Sequence, residues 1–287
     1  MQKYSVTSAL SRVPHAEECL RSHQKMPMGN APFLNIDSVT LRFGGLVALH
    51  SVSFEVWEGQ IFSLIGPNGA GKTSLFNCIT RLYTPTQGKI FFCGHNLLSL
   101  KPDQICPLGV TRTFQNVELF SHLTVSENIL IGLYSHFTYG VLASFFRTAR
   151  VRREEKEKRR RVDEIIDFLH LLPYRDQQVS SLPFGLQKIV ELGRALATNP
   201  RLVLLDEPAS GMNQEEKETL ARIISEAGEG LKKTILLVEH DMNFVMSISN
   251  RICVLNFGEK IAEGTPEEIR RNPKVVEAYL GSGGEAC

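Results

Sequence analysis

The chain lacks several features that would place it in other classes. Its six cysteines (Cys19, Cys78, Cys93, Cys106, Cys253 and Cys287) are scattered, and no two form a CxxC pair. That spacing argues against a zinc ribbon or a disulfide framework and for a reducing compartment. Neither charge dominates, since 32 Lys and Arg against 31 Asp and Glu leave +1. The balance argues against wholesale electrostatic binding of nucleic acid, and against a chain too charged and apolar-poor to fold. There is no internal repeat and no low-complexity tract. The amino-terminal stretch has no apolar run long enough for a signal peptide. One uncharged stretch, Asn128 to Phe146, approaches the length of a membrane span, but Gly132, Ser135, His136, Thr138 and Gly140 interrupt it. It reads instead as a buried helix, a polar turn over 135–140 and a second helix.

The chain does have enough apolar material for a large core, with 43% hydrophobic residues in a length of 287. Residues 1–30 show no sustained periodicity and are expected to be a mobile tail; residues 282–287 are expected to be another. Leu34 to Leu41 alternates with period two, as does Val52 to Val56, which predicts half-buried strands. Ile61 to Ile65, Leu202 to Leu205 and Ile235 to Val238 are near-continuous apolar runs, the texture of central parallel strands. A helix is expected over 74–82 and another over 215–227, with a further strand over 90–94. Thr124 to Glu127 has capping-box spacing before an apolar run, so a helix starts there. Arg251 to Ala262 reads as a hairpin turning at Phe257-Gly258, and Thr265-Pro266-Glu267-Glu268 opens one last helix. Strands alternating with helices imply a parallel sheet. Arg147 to Arg161 carries nine basic and three acidic residues. Two readings fit that run: a solvated helix face, or contact with anionic lipid headgroups beside a membrane partner.

The most specific segment is Gly66-Pro67-Asn68-Gly69-Ala70-Gly71-Lys72-Thr73, which fits G-x-x-x-x-G-K-[ST] between an expected strand and an expected helix. Glycines let backbone N–H groups converge on phosphate oxygens, and the helix start adds favourable potential for an anion. Lys72 is placed to reach the β- and γ-phosphates, and the Thr73 hydroxyl to ligate Mg²⁺; Ser74 continues the cradle. Leu202-Val203-Leu204-Leu205-Asp206-Glu207 is the second element. A carboxylate at the end of a buried strand belongs where ligands sit, so Asp206 suits Mg²⁺ and Glu207 suits polarising the attacking water.

Other segments fall in an order that resembles the ATP-binding cassettes of ABC transporters. Leu182-Pro183-Phe184-Gly185-Leu186-Gln187 resembles the signature motif, and Arg112-Thr113-Phe114-Gln115 the Q-loop. Ala209-Ser210-Gly211-Met212-Asn213 resembles the D-loop, Val238-Glu239-His240-Asp241 the switch histidine, and Phe43 the adenine-stacking aromatic. The resemblance implies an α/β fold, a P-loop NTPase core of the ABC type. It would have a parallel sheet, an antiparallel β subdomain and an inserted helical subdomain over about 116–190, all within residues 33–281. It implies ATP and Mg²⁺ as ligands. Phe43, Gly66, Pro67, Asn68, Gly69, Ala70, Gly71, Lys72, Thr73 and Ser74 would bind nucleotide, with Gly185 contributing across a dimer. Thr73, Gln115 and Asp206 would organise the metal, while Glu207, His240 and Gln115 would act in hydrolysis. Pro183 and Leu186 depart from the usual signature: proline offers neither a hydroxyl nor an N–H, so the trans contact is expected to rest on Gly185.

Within the family the chain is most similar to ATPase subunits of branched-chain, or hydrophobic, amino-acid importers. That likeness rests on Arg112 to Asn116, Gly211-Met212-Asn213, the insertion from Tyr134 to Arg161, Gly264 to Pro273, and Ala278-Tyr279-Leu280-Gly281. It implies a second cassette, permease subunits in the membrane and, indirectly, a periplasmic or extracellular substrate-binding protein, with no nucleic acid. The chain would sit peripherally on the cytoplasmic face. Importers of urea or amides are close relatives and stay open as alternatives; a cassette for lipid export would differ only in its membrane partner, and the insertion and carboxy-terminal segment favour the importer. Soluble DNA-maintenance ATPases fit less well, because no sustained heptads separate phosphate loop from signature. Translation-factor types usually carry two cassettes in a chain.

Overall fold

A computed structural model describes residues 31–113, 118–134 and 149–280. The expected tails, Gln115, the turn over 135–140 and the helix after it lie outside the described residues. Two sheets organise the chain. One is four-stranded and antiparallel, in the order β2-β1-β4-β5, from β1 (Leu34–Phe43), β2 (Leu46–Val56), β4 (Gln87–Phe92) and β5 (His95–Asn96). The other is six-stranded, in the order β10-β9-β3-β8-β7-β6. It contains β3 (Ile61–Ile65), β6 (Val110–Arg112), β7 (Leu202–Asp206), β8 (Thr234–Val238), β9 (Arg251–Asn256) and β10 (Glu259–Gly264). All its pairings are parallel except the hairpin of β9 with β10.

The continuous apolar strands are buried on both faces, and alternation sorts their side chains. Phe62 and Leu64 of β3, Leu202 and Leu204 of β7, and Leu236 and Val238 of β8 face the antiparallel sheet. Helix α1 (Lys72–Ile79) is clamped in that layer through Leu75, Phe76, Cys78 and Ile79. Val203, Leu205, Ile235 and Leu237 point the other way, into a core shared with α2 (Val125–Tyr134), α3 (Ala149–Phe168), α4 (Phe184–Ala197) and α5 (Gln214–Glu229). A third cluster covers the β9–β10 edge with α6 (Met242–Ile248), α7 (Pro266–Arg270) and α8 (Pro273–Leu280).

Several boundaries differ from the sequence expectation. Helix α1 starts at Lys72, two residues before the expected start, because Gly71 takes the left-handed conformation (φ 100°) that ends the loop. It stops at Ile79, where the Thr80 hydroxyl donates to the Phe76 carbonyl at 2.9 Å and Arg81 turns left-handed. Strand β4 spans 87–92 and not 90–94, since Cys93 and Gly94 both have positive φ and form the turn. The single last helix is two, because Pro273 cannot continue a helix and disfavours it at Asn272. The described part of the charge run lies on α3, where Arg160 pairs with Glu157 at 2.6 Å and with Glu164, and Arg159 and Arg160 are exposed. Val162, Ile165 and Ile166 of the same helix are buried.

Candidate functional site

The phosphate loop joins β3 to α1 and is fixed by its own backbone. At Gly66 a Cβ would lie 2.1 Å from the Leu255 carbonyl oxygen, and at Gly71 one would lie 2.6 Å from that of Ala48, so only glycine fits either place. Gly69 also has positive φ, with open space around its Cα. The Ala70 carbonyl accepts the Gly258 N–H at 3.1 Å, and the Gly258 carbonyl accepts the His50 N–H at 2.8 Å. The loop is thereby tied to the β9–β10 turn and to β2. Lys72 curls into it, its Nζ donating to the carbonyls of Gly66 (2.7 Å) and Pro67 (3.0 Å). Burial holds the Lys72 pKa below the usual lysine value, against the opposing pull of Glu207 and Asp206. Those two carboxylates therefore lie within electrostatic reach of the lysine.

Asp206 ends β7 almost wholly buried. Its Oδ2 accepts from Arg112 Nη2 at 2.6 Å, while Arg112 Nη1 donates to Asn77 Oδ1 at 2.6 Å. The guanidinium also lies 5.5 Å from the centre of the Phe76 ring. One arginine thus joins β6, β7 and α1 beneath the phosphate loop. Glu207 follows with φ 47°, a strained conformation for a non-glycine residue, and its N–H donates to the Val238 carbonyl at 2.8 Å. This turn sets the Glu207 carboxylate 3.9 Å from His240 Nδ1.

Glu239, which the sequence reading left without a role, is fully buried behind them. Its carboxylate accepts the N–H groups of Ala209 (2.8 Å), His240 (2.8 Å) and Asp241 (3.3 Å). It fastens the D-loop to the end of β8. Lys188 was also missed: it is buried on α4, and its pKa is lowered by burial against the pull of Glu191, Glu239, Glu207 and Asp206. The sequence signal for both was a charged residue inside or next to a motif segment, the switch histidine for Glu239 and the signature for Lys188.

Phe43 stands exposed at the end of β1, edge-on to Tyr83 with ring centres 5.1 Å apart. Tyr83 is a second aromatic that sequence reasoning did not pair with it. At the signature, α4 starts after Pro183 with no side chain capping its N–H groups. Gly185 is buried, and a Cβ there would lie 2.4 Å from Glu216 Oε1. The Phe184 ring lies against Gly211 of the D-loop. The phosphate-loop glycines pack on Ala48, Leu255 and Gly258, and the signature on Gly211 and Glu216.

These elements suit a phosphate ester and a small hard cation together. Among the described residues no group of three His, Cys, Asp or Glu could hold a metal by itself. A buried carboxylate (Asp206) and an exposed hydroxyl at a helix start (Thr73) are the donor set that Mg²⁺ uses when phosphates complete its shell. A strand, glycine loop and helix that carry the lysine, in one parallel sheet with a strand two places away that ends in Asp-Glu, define a P-loop nucleotide-binding ATPase.

The comparisons narrow that class. Residues 49–210 match the ABC transporter family, and residues 259–285 match the branched-chain amino acid ATP-binding cassette transporter family. The chain belongs to the ABC transporter family, as an ATP-binding cassette. It is similar to the high-affinity branched-chain amino acid transport ATP-binding protein BraF of Pseudomonas aeruginosa, with 43% identity over 87% of this chain and 98% of that protein. Among solved structures it resembles the ADP conformation of the cassette MJ1267, with a TM-score of 0.75 and 31% identity over 88% of this chain and 100% of the other. It also resembles a dimeric post-hydrolysis state of the cassette MJ0796 bound to ADP and phosphate, with a TM-score of 0.68 and 26% identity over 81% and 98%.

Proposed function

We propose that this chain binds and hydrolyses ATP to energise uptake of branched-chain or other hydrophobic amino acids through a separate permease. The observation that carries the ATPase part is Lys72, held in the phosphate loop with Asp206 and Glu207 within electrostatic reach. In this reading Gly66 to Ser74 bind the phosphates and Phe43 stacks on the adenine. Thr73, Asp206 and Gln115 hold Mg²⁺, which when bound neutralises charge on the phosphate oxygens. Glu207 takes a proton from water, and the half-exposed His240 bonds the γ-phosphate from 3.9 Å beyond that carboxylate. Positioning and fixed charge then carry phosphoryl transfer, with little covalent chemistry asked of the protein.

Gly185 and the bare start of α4 act on the ATP of a second cassette in a head-to-tail dimer; that MJ0796 forms a dimer supports the pairing of two cassettes. ATP bridges the two, and its hydrolysis releases them, a population shift driven by differential affinity. The cassette spans 33–281, and its helical subdomain, about 116–190, docks the permease. Among the described residues no helix is long and apolar enough to cross a membrane. In this reading the chain sits peripherally on the cytoplasmic face, which its likeness to the transport ATP-binding protein BraF supports. The amino-acid substrate is supported by the match over 259–285 and by BraF.

The test is ATPase activity of the complex recovered with this chain and reconstituted in lipid with its binding protein. Stimulation by leucine, isoleucine or valine is expected. Stimulation by urea or short amides alone would overturn the substrate, and recovery without any membrane subunit would overturn the transport role.

A further inference from the structure

We propose that Arg112 is a positioning residue for the cation: its guanidinium sets the separation of Thr73 and Asp206, two donors that stand on different elements. The inference rests on the reading of those two residues as Mg²⁺ donors. Thr73 lies in the first turn of α1, and Asp206 ends β7. Apolar packing brings the two layers together, but it is not directional. A metal site needs donors held more closely, by hydrogen bonds behind them. Arg112 supplies two such bonds. Its Nη2 donates to Asp206 Oδ2 at 2.6 Å, and its Nη1 to Asn77 Oδ1 at 2.6 Å. Asn77 follows Thr73 by four residues, so the two share a face of α1. Both nitrogens belong to one rigid plane, so the same group fixes the face of α1 that carries Thr73 against the end of β7.

The fork is itself held in place. Arg112 lies opposite Leu204 in the register of β6 with β7, and Leu204 shares a face of β7 with Asp206 two residues on. The next N–H, that of Thr113, donates to the Leu204 carbonyl at 2.9 Å. The side chain is 8% exposed, and its guanidinium lies 5.5 Å from the centre of the buried Phe76 ring. An arginine needed only to neutralise a buried carboxylate would set both nitrogens on that carboxylate, the strongest arrangement open to it. Arg112 instead gives one nitrogen to Asp206 and the other to a neutral amide on α1. One carboxylate oxygen is thereby engaged, and the other is left for a cation.

The test uses the full chain with Asn77→Ala, which removes the α1 half of the bridge and leaves the Arg112–Asp206 pair in place. The probe is Mn²⁺, titrated at saturating ADP and followed by its electron paramagnetic resonance signal. The Kd for Mn²⁺ should rise about tenfold or more, the usual cost of losing a partner behind a metal ligand. The Kd for ADP alone, measured in EDTA with a fluorescent analogue, should stay at its wild-type value. Arg112→Lys keeps the charge beside Asp206 but offers one nitrogen in place of two, so it should also lose Mn²⁺ affinity. Unaltered Mn²⁺ affinity in Asn77→Ala would overturn the proposal. So would a loss of ADP affinity in EDTA as large as the loss for Mn²⁺, which marks general loosening of α1. A wild-type chain that binds ADP but takes up no Mn²⁺ would instead overturn the reading of Thr73 and Asp206 as metal donors, and this inference with it.

Discussion

Two kinds of helix start coexist in this chain. Helices α2, α5, α6 and α7 begin with side chains that cap them. Thr124 accepts the Glu127 N–H at 3.2 Å, Asn213 that of Glu216 at 3.0 Å, Asp241 that of Phe244 at 3.1 Å, and Thr265 that of Glu268 at 3.4 Å. Helices α1 and α4 begin at Gly71 and Pro183, and neither has a side-chain cap or an acidic residue in its first turn. Helices α2, α5 and α7 all carry glutamate there. The first N–H groups of any helix need partners, and a capping oxygen supplies one at a gain of about 1 kcal/mol. A start left bare forgoes that gain and keeps its N–H groups for another partner; at α4 the Glu216 carboxylate of α5 lies against Gly185 and must give way before an anion can approach. Among the α-helices whose starts are described, those without a side-chain cap belong to the phosphate loop and the signature. Pro183, which removes a hydroxyl and an N–H from the motif, also removes any self-capping side chain.

This contrast can be broken in several ways. Glu207→Gln should reduce steady-state hydrolysis at least about 100-fold while ATP binding persists, since it removes the base and leaves both starts intact. Undiminished turnover would remove Glu207 from that role. Arg112→Met should cost about 3 kcal/mol in urea unfolding, because it strands the buried Asp206 carboxylate next to the phosphate loop. A loss well under 1 kcal/mol would mean the pair does not organise the site. Asn213→Ala should cost about 1 kcal/mol and leave ATP affinity unchanged, as a purely structural cap requires. A shift in affinity would blur the distinction between the two classes.

Lys233→Met gives the smallest effect, away from both motifs. Lys233 donates to Asn199 Oδ1 at 2.9 Å, and burial lowers its pKa to about 8 from an ordinary value of 10.5. The folded chain thus releases this proton at lower pH than the unfolded chain. Wild-type stability should rise between those two values, and the penalty is complete below the lower one. The variant should be more stable by about 1 kcal/mol or less at pH 7, with the gain shrinking in alkali. Urea unfolding at two pH values checks this, and a gain independent of pH would refute it.

Much of this arrangement is legible in the chain itself. Strands β3, β7 and β8 announce themselves as apolar runs because both their faces are covered. The phosphate loop is contiguous, so its spacing alone predicts where its glycines and Lys72 fall. Asp206 and Glu207 follow from an apolar run that ends in two carboxylates, and His240 from likeness to the family; the structure brings Glu207 and His240 together at the ends of neighbouring strands. What stayed hidden depends on register and on closure between distant segments. Arg112 meets Asp206 only because β6 pairs in parallel with β7 opposite Leu204, and no local pattern encodes that offset. Glu239 looks like one more residue of the switch segment until its three N–H partners are seen.

The central claim is that the two bare helix starts are kept for phosphate. Amide hydrogen exchange on the full-length Glu207→Gln chain, with and without ATP, tests it most directly. The account predicts new protection at 72–74 and at 184–187, the latter growing with protein concentration as dimers form, and none at the capped starts of α2 and α7. Protection confined to the start of α1 at every concentration, or spread equally over the capped starts, would contradict it.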